Sequence, residues 1–245
     1  MKEINIINAV VRECGLTAED VVKNWYANGD IHADFLQGLC GTAEVKQPFS
    51  EISFIPSKKF VTPKTIAPGM LYYADGLIFP ELIKDNQVAA IIGCVNNNHG
   101  LATGLREAKL PWSSDYLFVD MVSGLSGNEA TEAILKAAKA QGKDAEAAEW
   151  CAAYAFDGIN AGTMFLPSAG ELRSIFTNNK KLRKAFSALK LQGLNEDPFS
   201  YYWSSSESGC YHEFYAQAIN PSSCYMNNEN KKCRYLVRCV LAFQI

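Results

Sequence analysis

The sequence predicts an α+β fold with an antiparallel sheet, flanking helices and a small helical N-terminal segment. Two hairpin patterns follow each other between residues 69 and 105, which indicates an antiparallel sheet. Ala residues recur at helical spacing over 128–155. Near the end of the chain, apolar residues alternate with others from Val237 to Phe243, which is typical of a strand. We expect that strand to lie inside the sheet.

The N-terminal residues form a segment of their own. Apolar residues at helical spacing and a capping-box pattern at Thr17–Asp20 predict two helices within residues 1–45. This segment is either a docking or oligomerisation module or a helical layer on the main domain. Several prolines make residues 46–67 an extended linker. The main domain is predicted over residues 68–245.

The main domain begins with hairpins and continues with helices. Asp75-Gly76 is a turn between two short strands, and Val88–Val95 is a buried strand that turns back through Asn96–Gly100. Gly142 interrupts the Ala-rich helical stretch. A capping box formed by Ser168 and Glu171 opens a further helix, whose predicted core face is Leu172, Ile175 and Phe176.

Charge and hydropathy exclude several function classes. The net charge is −3, so the chain has no basic footprint for nucleic acid. Its longest apolar stretches are too short to cross a bilayer, so membrane insertion is not expected. The first residues lack the features of an export signal. Without export, the eight Cys are expected to be free thiols.

The C-terminal composition differs from that of the rest of the chain. Between residues 201 and 235, twenty of thirty-five positions are Tyr, Ser, Asn, Cys or His. Tyr offers large, stiff contact area and Ser and Asn offer adaptable hydrogen bonds, so this composition is typical of recognition surfaces. A loop-rich end of a β domain would have a similar composition.

Three pairs of segments resemble the formylglycine-generating-enzyme-like branch of the C-type lectin fold. They are Met70–Gly76 with Ile91–Val95, Trp150-Cys151 with Phe165–Leu172, and Tyr202–Glu207 with Val237–Phe243. The resemblance covers about residues 65 to 243 and implies a C-type lectin-like ligand-binding domain. Carbohydrate-binding members hold Ca²⁺ with Glu-Pro-Asn or Gln-Pro-Asp and Trp-Asn-Asp tripeptides. None occurs here, so Ca²⁺-dependent sugar binding is not expected.

Within that branch, the chain is similar to the variable proteins of diversity-generating retroelements, such as phage receptor-recognition proteins. In these systems AAC and AAT codons become NNC or NNT codons, which never encode Lys, Glu, Gln, Met or Trp. Glu213, Gln217, Met226, Glu229, Lys231 and Lys232 are therefore expected to be fixed scaffold. The resemblance implies that twelve reachable positions form a variable ligand-binding surface: Ser208, Cys210, Tyr211, His212, Phe214, Ser222, Ser223, Cys224, Tyr225, Asn227, Cys233 and Tyr235.

The same residues allow two chemical alternatives. His212 with Cys210, Cys224 and Cys233 could be drawn as a metal site, but their spacing matches no zinc class. Cys233 and Cys239 could be drawn as the thiol pair of an oxidase, but no flanking pattern supports that role. A non-diversified structural or adhesion module of the same fold is a further alternative. Ser204, Ser205 and Ser206 are expected to hydrogen-bond the backbone and support the binding face, with Trp203 in the core.

The sequence thus predicts a binding protein rather than an enzyme, with no cofactor and no tightly bound metal. Its partner is expected to be a protein or another macromolecular ligand on a target surface. The N-terminal segment is a candidate for contact with further copies or with a virion, and the expected location is a phage virion or the cytoplasm. Five aromatic side chains are expected to lie exposed and close together on one surface: Tyr211, His212, Phe214, Tyr225 and Tyr235.

Overall fold

The computed structural model describes residues 66–96, 99–119, 126–195 and 197–245. The predicted helical segment over 1–45 lies outside the described residues, and so does the predicted linker over 46–67 apart from its last two residues. Within the described part, ten strands and four helices form an α+β structure, as the sequence predicts. None of the described helices is long and apolar enough to cross a membrane.

The strands form two five-stranded sheets. One sheet has the order β10-β4-β3-β1-β2, and the other has the order β5-β9-β6-β7-β8. The pairing of β6 with β9 is parallel, and the other pairings are antiparallel. The strands are β1 (Leu71–Tyr73), β2 (Ile78–Phe79), β3 (Val88–Asn96), β4 (His99–Gly104), β5 (Ala108–Pro111), β6 (Tyr202–Glu207), β7 (Tyr215–Ile219), β8 (Met226–Asn230), β9 (Arg234–Val237) and β10 (Val240–Gln244).

Both predicted hairpins are confirmed. β1 pairs with β2 across the Asp75-Gly76 turn, where Gly76 has a φ of 85° and the Asp75 carboxylate accepts a hydrogen bond from the Leu77 amide. A left-handed residue is what such a tight turn requires, and glycine adopts it without a steric penalty. The longer hairpin pairs β3 with β4.

Four helices pack against the sheets: α1 (Gly127–Gln141), α2 (Glu146–Ala152), α3 (Ala169–Phe176) and α4 (Asn179–Ala188). The predicted stop at Gly142 is confirmed, with a φ of 61°. The capping box of Ser168 and Glu171 is confirmed at the start of α3, and it satisfies amides that a helix start leaves unpaired. Helix α4 is not among the predicted elements, because its Lys and Arg residues obscure the apolar spacing of Leu182, Ala185 and Phe186.

The predicted terminal strand is wrong in two respects. The chain does not run as one strand from Val237 to Phe243, because β9 ends at Val237 in one sheet and β10 begins at Val240 in the other. In addition, β10 is at the edge of its sheet among the described strands and pairs there with β4, so it does not lie inside that sheet. Alternating apolar residues fit either one strand or two. The buried residues between Val237 and Val240 determine that the chain forms two strands here.

Arg238 lies in that break and is only 2% exposed. Its guanidinium donates to the Gly104 carbonyl at 3.0 Å and to the Glu107 carboxylate at 2.5 Å, and it stacks on the Phe186 ring. A buried guanidinium needs partners for its charge and its donors. Here it has both a carbonyl and the carboxylate of Glu107.

Candidate recognition surface

Ten of the twelve predicted variable residues are divided between the two ends of the β7–β8 hairpin, while Asn227 lies within β8 and Tyr235 within β9. Residues 208–214 lead into β7 and residues 231–233 follow β8, and the register pairs Tyr215 with Asn230 at this end. The turn 220–225 joins the strands at the other end, where Ile219 pairs with Met226. Five strand residues span roughly 15 Å, so the two groups do not form one contiguous patch.

The loop 208–214 presents large side chains to solvent. Tyr211 is 72% exposed and Phe214 is 37% exposed, while His212 is half-buried. Cys210 and Cys233, which belong to the same end of the hairpin, are also exposed. Large exposed apolar groups of this kind on a loop are where binding sites are commonly found.

Main-chain hydrogen bonds hold this loop. The Ser208 amide donates to the Tyr215 carbonyl, and the Phe214 and Tyr215 amides both donate to the Tyr211 carbonyl. Tyr211 has a φ of 56°, in the left-handed region. Because these bonds use backbone atoms, the side chains of residues 210 to 214 can change without removing them.

Two aromatic residues outside the predicted set complete this surface. The Phe214 ring packs edge-to-face on Tyr116, with centroids 4.8 Å apart. The His212 ring lies 5.2 Å from that of Phe118, which is 42% exposed. We call Tyr116, Phe118, His212 and Phe214 the aromatic cluster. The sequence signal for the first two was weak: two aromatic residues flanking Leu117 in a polar stretch.

Helices α1 and α2 and the turn between them position the segment that carries Tyr116 and Phe118. The Gln141 side chain accepts from the Phe118 amide and donates to its carbonyl. Lys143 donates to the Tyr116 carbonyl at 2.5 Å, and the Glu146 carboxylate accepts from the Ser114 amide at 2.9 Å. Side chains from regular structure thus fix the backbone of an irregular segment, which leaves its aromatic rings available at the surface.

Lys231 connects the two parts of the aromatic cluster. Its side chain is fully buried, and its ammonium donates to the Leu117 carbonyl at 2.6 Å and to Glu207 at 2.5 Å. The ammonium also lies 4.2 Å from the centre of the Trp112 ring. Its main-chain amide donates to the Phe214 carbonyl, and its carbonyl accepts from the Trp112 amide. Loop 208–214 and the segment that carries Tyr116 and Phe118 are therefore both hydrogen-bonded to Lys231.

Burial makes the charged form of Lys231 less favourable than it would be in water. Burial lowers the pKa of the Lys231 ammonium, and the nearby Glu207 carboxylate offsets this only in part. Lys is one of the residues that NNC and NNT codons never encode, and here it has a structural role that a shorter or neutral side chain would not reproduce.

The turn 220–225 is organised by Asn220, which is 2% exposed. Its amide donates to the carbonyls of Pro198 and Ser200, and its oxygen accepts from the amides of Ser222 and Ser223. Tyr225 projects from this turn and is 62% exposed. Ser222 and Ser223 are exposed and Cys224 is half-buried.

Three of the twelve residues have structural contacts instead. Ser208 is 4% exposed, and its hydroxyl accepts from the Cys210 amide. The Tyr235 ring packs edge-to-face on Trp203 and its hydroxyl donates to Glu229, and burial raises its pKa. Asn227 donates to the same Glu229 at 2.6 Å. The five aromatic residues expected on one surface are therefore not brought together, because Tyr235 lies against the core and Tyr225 at the far end of the hairpin.

The Ser204–Ser206 run forms hydrogen bonds with the backbone, as expected. The Ser204 hydroxyl donates to the Gln217 carbonyl, and the Ser206 hydroxyl accepts from the Ala169 amide at the start of α3. The Ser205 amide donates to the Pro167 carbonyl. Trp203 is fully buried and donates to the Leu110 carbonyl, in keeping with its expected place in the core.

The thiols are not arranged as the two chemical alternatives require. Cys233 is exposed before β9, whereas Cys239 is buried after it, as a free thiol beside the buried free thiol of Cys151. Burial raises the pKa of Cys239 well above its ordinary value, which disfavours the reactive thiolate. Cys224 lies at the opposite end of the hairpin from Cys210 and Cys233. In the described part of the chain, no three His, Cys, Asp or Glu residues are grouped as metal ligands.

No protein-family model matches this chain, and no curated protein matches it either. The surface formed by the aromatic cluster and loop 208–214 has exposed rings, a half-buried imidazole and an exposed cation at Lys232, which lies 4.3 Å from the Tyr116 ring centre. Such groups can bind a surface through apolar and polar contacts.

Proposed function

We propose that this chain is a ligand-binding protein that recognises a macromolecular target through the aromatic cluster and loop 208–214. The observation that carries the proposal is the separation of roles around Lys231. Exposed side chains occupy a loop whose shape depends on main-chain bonds and on one buried cation. A packed scaffold of this kind lets loop side chains vary while the fold persists.

We further propose that the domain is C-type lectin-like and that a retroelement diversifies its C-terminal codons. Support comes from two of the six residues that the code excludes. Lys231 is buried, and Glu229 bonds with Tyr235 and Asn227, so both have scaffold roles. Tyr211 and Tyr225, which the code allows, are the most exposed aromatic residues in this region after Phe199. Under this proposal Ser208 and Tyr235 are reachable by the code but retained for folding.

The gene and its flanking DNA test diversification. We expect a nearby reverse-transcriptase gene and a near-copy of the C-terminal coding region that is richer in adenine. The serine codons give a second check, because Ser is encoded by both TCN and AGY codons. Ser222 and Ser223 must have codons ending in C or T, while the serines of β6 are under no such restriction. A TCA or TCG codon at either position, or flanking DNA without a repeat, would refute diversification.

The absence of a repeat would leave the non-diversified structural or adhesion module as the alternative. The thiol oxidase is disfavoured because Cys239 is buried beside Cys151 and is separated from Cys233 by the whole of β9. We therefore propose a binding protein and no catalytic role for these thiols. A phage virion or the cytoplasm remains the proposed location.

A further inference from the structure

Basic residues are concentrated on helix α4 and the turn that follows it. Residues 173–190 contain six Lys or Arg and no Asp or Glu. The rest of the chain holds the other 17 basic residues against 26 acidic ones. A strongly cationic stretch thus stands out from an otherwise acidic protein, and such asymmetry favours a partner of opposite charge.

This stretch borders a surface groove of about 900 Å³. Lys180, Arg183, Lys184 and Ser187 line it from successive turns of α4, at the spacing that places residues on one helical face. Leu191 provides an apolar wall and is 41% exposed. A groove of this volume is at the upper end of the range of ligand pockets. The remaining lining includes Phe176, Lys190, Leu194 and Ser222.

The charges on this face do not stabilise the helix. Lys180 and Lys181 are in the first turn, which has no acidic residue, and the helix dipole disfavours cations there. Lys180 and Lys184 are four residues apart, where like charges repel. Among the described residues, no carboxylate lies within ion-pair distance of Lys180, Lys184 or Lys190. The helix is held by its opposite face, where Leu182, Ala185 and Phe186 are buried, so these three lysines are available for a partner.

Lys190 has a conformation that lysine rarely adopts. Its φ is 56°, and the Leu191 amide donates to the Phe186 carbonyl in the hydrogen-bond pattern that ends a helix at a left-handed residue. Glycine is the usual residue there because a side chain adds strain. Lysine instead places a fourth cation at the edge of the groove.

We propose that this groove docks an acidic protein segment that carries apolar side chains among its carboxylates. The carboxylates would pair with Lys180, Lys184 and Lys190, and an apolar side chain would cover Leu191. Nucleic acid fits less well, because the one aromatic residue in the lining, Phe176, is 3% exposed and offers no ring for base stacking. This surface is distinct from the aromatic cluster and does not depend on the proposed function.

Fluorescence anisotropy with a short labelled peptide of Glu, Asp and Leu tests the proposal on the full chain. We expect saturable binding at low salt that weakens at least tenfold as salt is raised. A peptide with Lys in place of the acids should not bind, and one with Ser in place of Leu should bind less tightly.

Two sets of variants locate the site. Lys180→Glu with Lys184→Glu should weaken binding of the acidic peptide at least tenfold. Folding should persist because both residues are exposed and because an acidic residue at position 180 suits the first helical turn. Lys84→Glu with Lys136→Glu makes the same charge change on exposed residues outside the groove and should alter binding less than twofold. Lys190→Gly should weaken binding while leaving the urea midpoint unchanged or raised, since it removes a cation and backbone strain together.

Three results would overturn the docking proposal. They are the absence of saturable binding by the acidic peptide, an equal loss of binding in the control pair, and tighter binding of a labelled single-stranded oligonucleotide than of the peptide. The last result would identify the groove as a nucleic-acid surface. None of them bears on the aromatic cluster, which is tested separately.

Discussion

Replacing Lys231 with Met is expected to destabilise the protein severely. Met keeps most of the apolar stem but leaves Glu207, whose side chain is 5% exposed, without its cation. It also leaves the Leu117 carbonyl without its donor. Removing one partner of a buried ion pair costs about 3–5 kcal/mol. For a domain of this size that corresponds to a melting temperature lowered by roughly 6–20 °C.

The neighbouring lysine is a matched control. Lys232 is exposed, and its contact is with the Tyr116 ring. An exposed cation–π pair contributes about 0.5–1 kcal/mol, so Lys232→Met should cost no more than that. Urea unfolding followed by circular dichroism measures both variants. Adding Glu207→Gln to Lys231→Met should recover a large part of the loss, because the unpaired charge is then removed.

Equal stability of the Lys231→Met and Lys232→Met variants would refute the role given to Lys231. A double variant no more stable than Lys231→Met would refute the reasoning about the unpaired carboxylate. In that case the loss would come from the unpaired Leu117 carbonyl and from the lost contact with the Trp112 ring.

Three further predictions concern the turn, alkaline pH and metal. Asn220→Ala should lower the unfolding free energy by about 2–4 kcal/mol in urea titrations, since several buried hydrogen bonds of about 1 kcal/mol each are lost. Asn228→Ala is an exposed control and should cost under about 0.5 kcal/mol. Similar costs for the two variants would contradict the account of this turn. Burial raises the pKa of Cys94 to about 11 and that of Tyr154 to about 12, from 9.0 and 10.0. Because these groups ionise at lower pH in the unfolded chain, their contribution to the stability of the fold is complete below pH 9 and is lost as pH rises to about 12. The urea midpoint under reducing conditions should therefore fall over that window. A midpoint that stays constant from pH 9 to 12 would contradict this. Elemental analysis should find no stoichiometric zinc or calcium, and chelator should leave the melting temperature unchanged; a large drop would reveal a metal that the sequence did not predict.

The sequence predicts local structure well where one short pattern determines it. The Asp75-Gly76 turn and the Ser168 capping box depend on residues within three positions of each other, and both form as expected. The path of the chain after Val237 could not be predicted in this way. It depends on the hydrogen bond from Arg238 to Glu107, which is 131 residues away in sequence.

The candidate surface is predictable only in part, for a similar reason. The allowed codons pick out Tyr211, His212 and Phe214 as a group, but they do not show that Tyr225 lies at the other end of a hairpin. The contribution of Tyr116 and Phe118 depends on long-range pairing of their segment with Lys231. Lys231 itself is predicted as scaffold because of its codon, while its burial is a property of the tertiary structure alone.

Selection of binders from a displayed library tests the central claim most directly. The library would carry NNC codons at the nine predicted positions that lack the structural contacts of Ser208, Asn227 and Tyr235, and it would be selected against one fixed protein target. A matched library would carry NNC codons at buried positions of β6 and β7. We predict that most members of the first library resist protease and that it yields binders whose affinity is lost when positions 211, 212 and 214 are reverted. Loss of protease resistance in the first library to the same degree as in the buried one would contradict the claim that this surface varies independently of the fold.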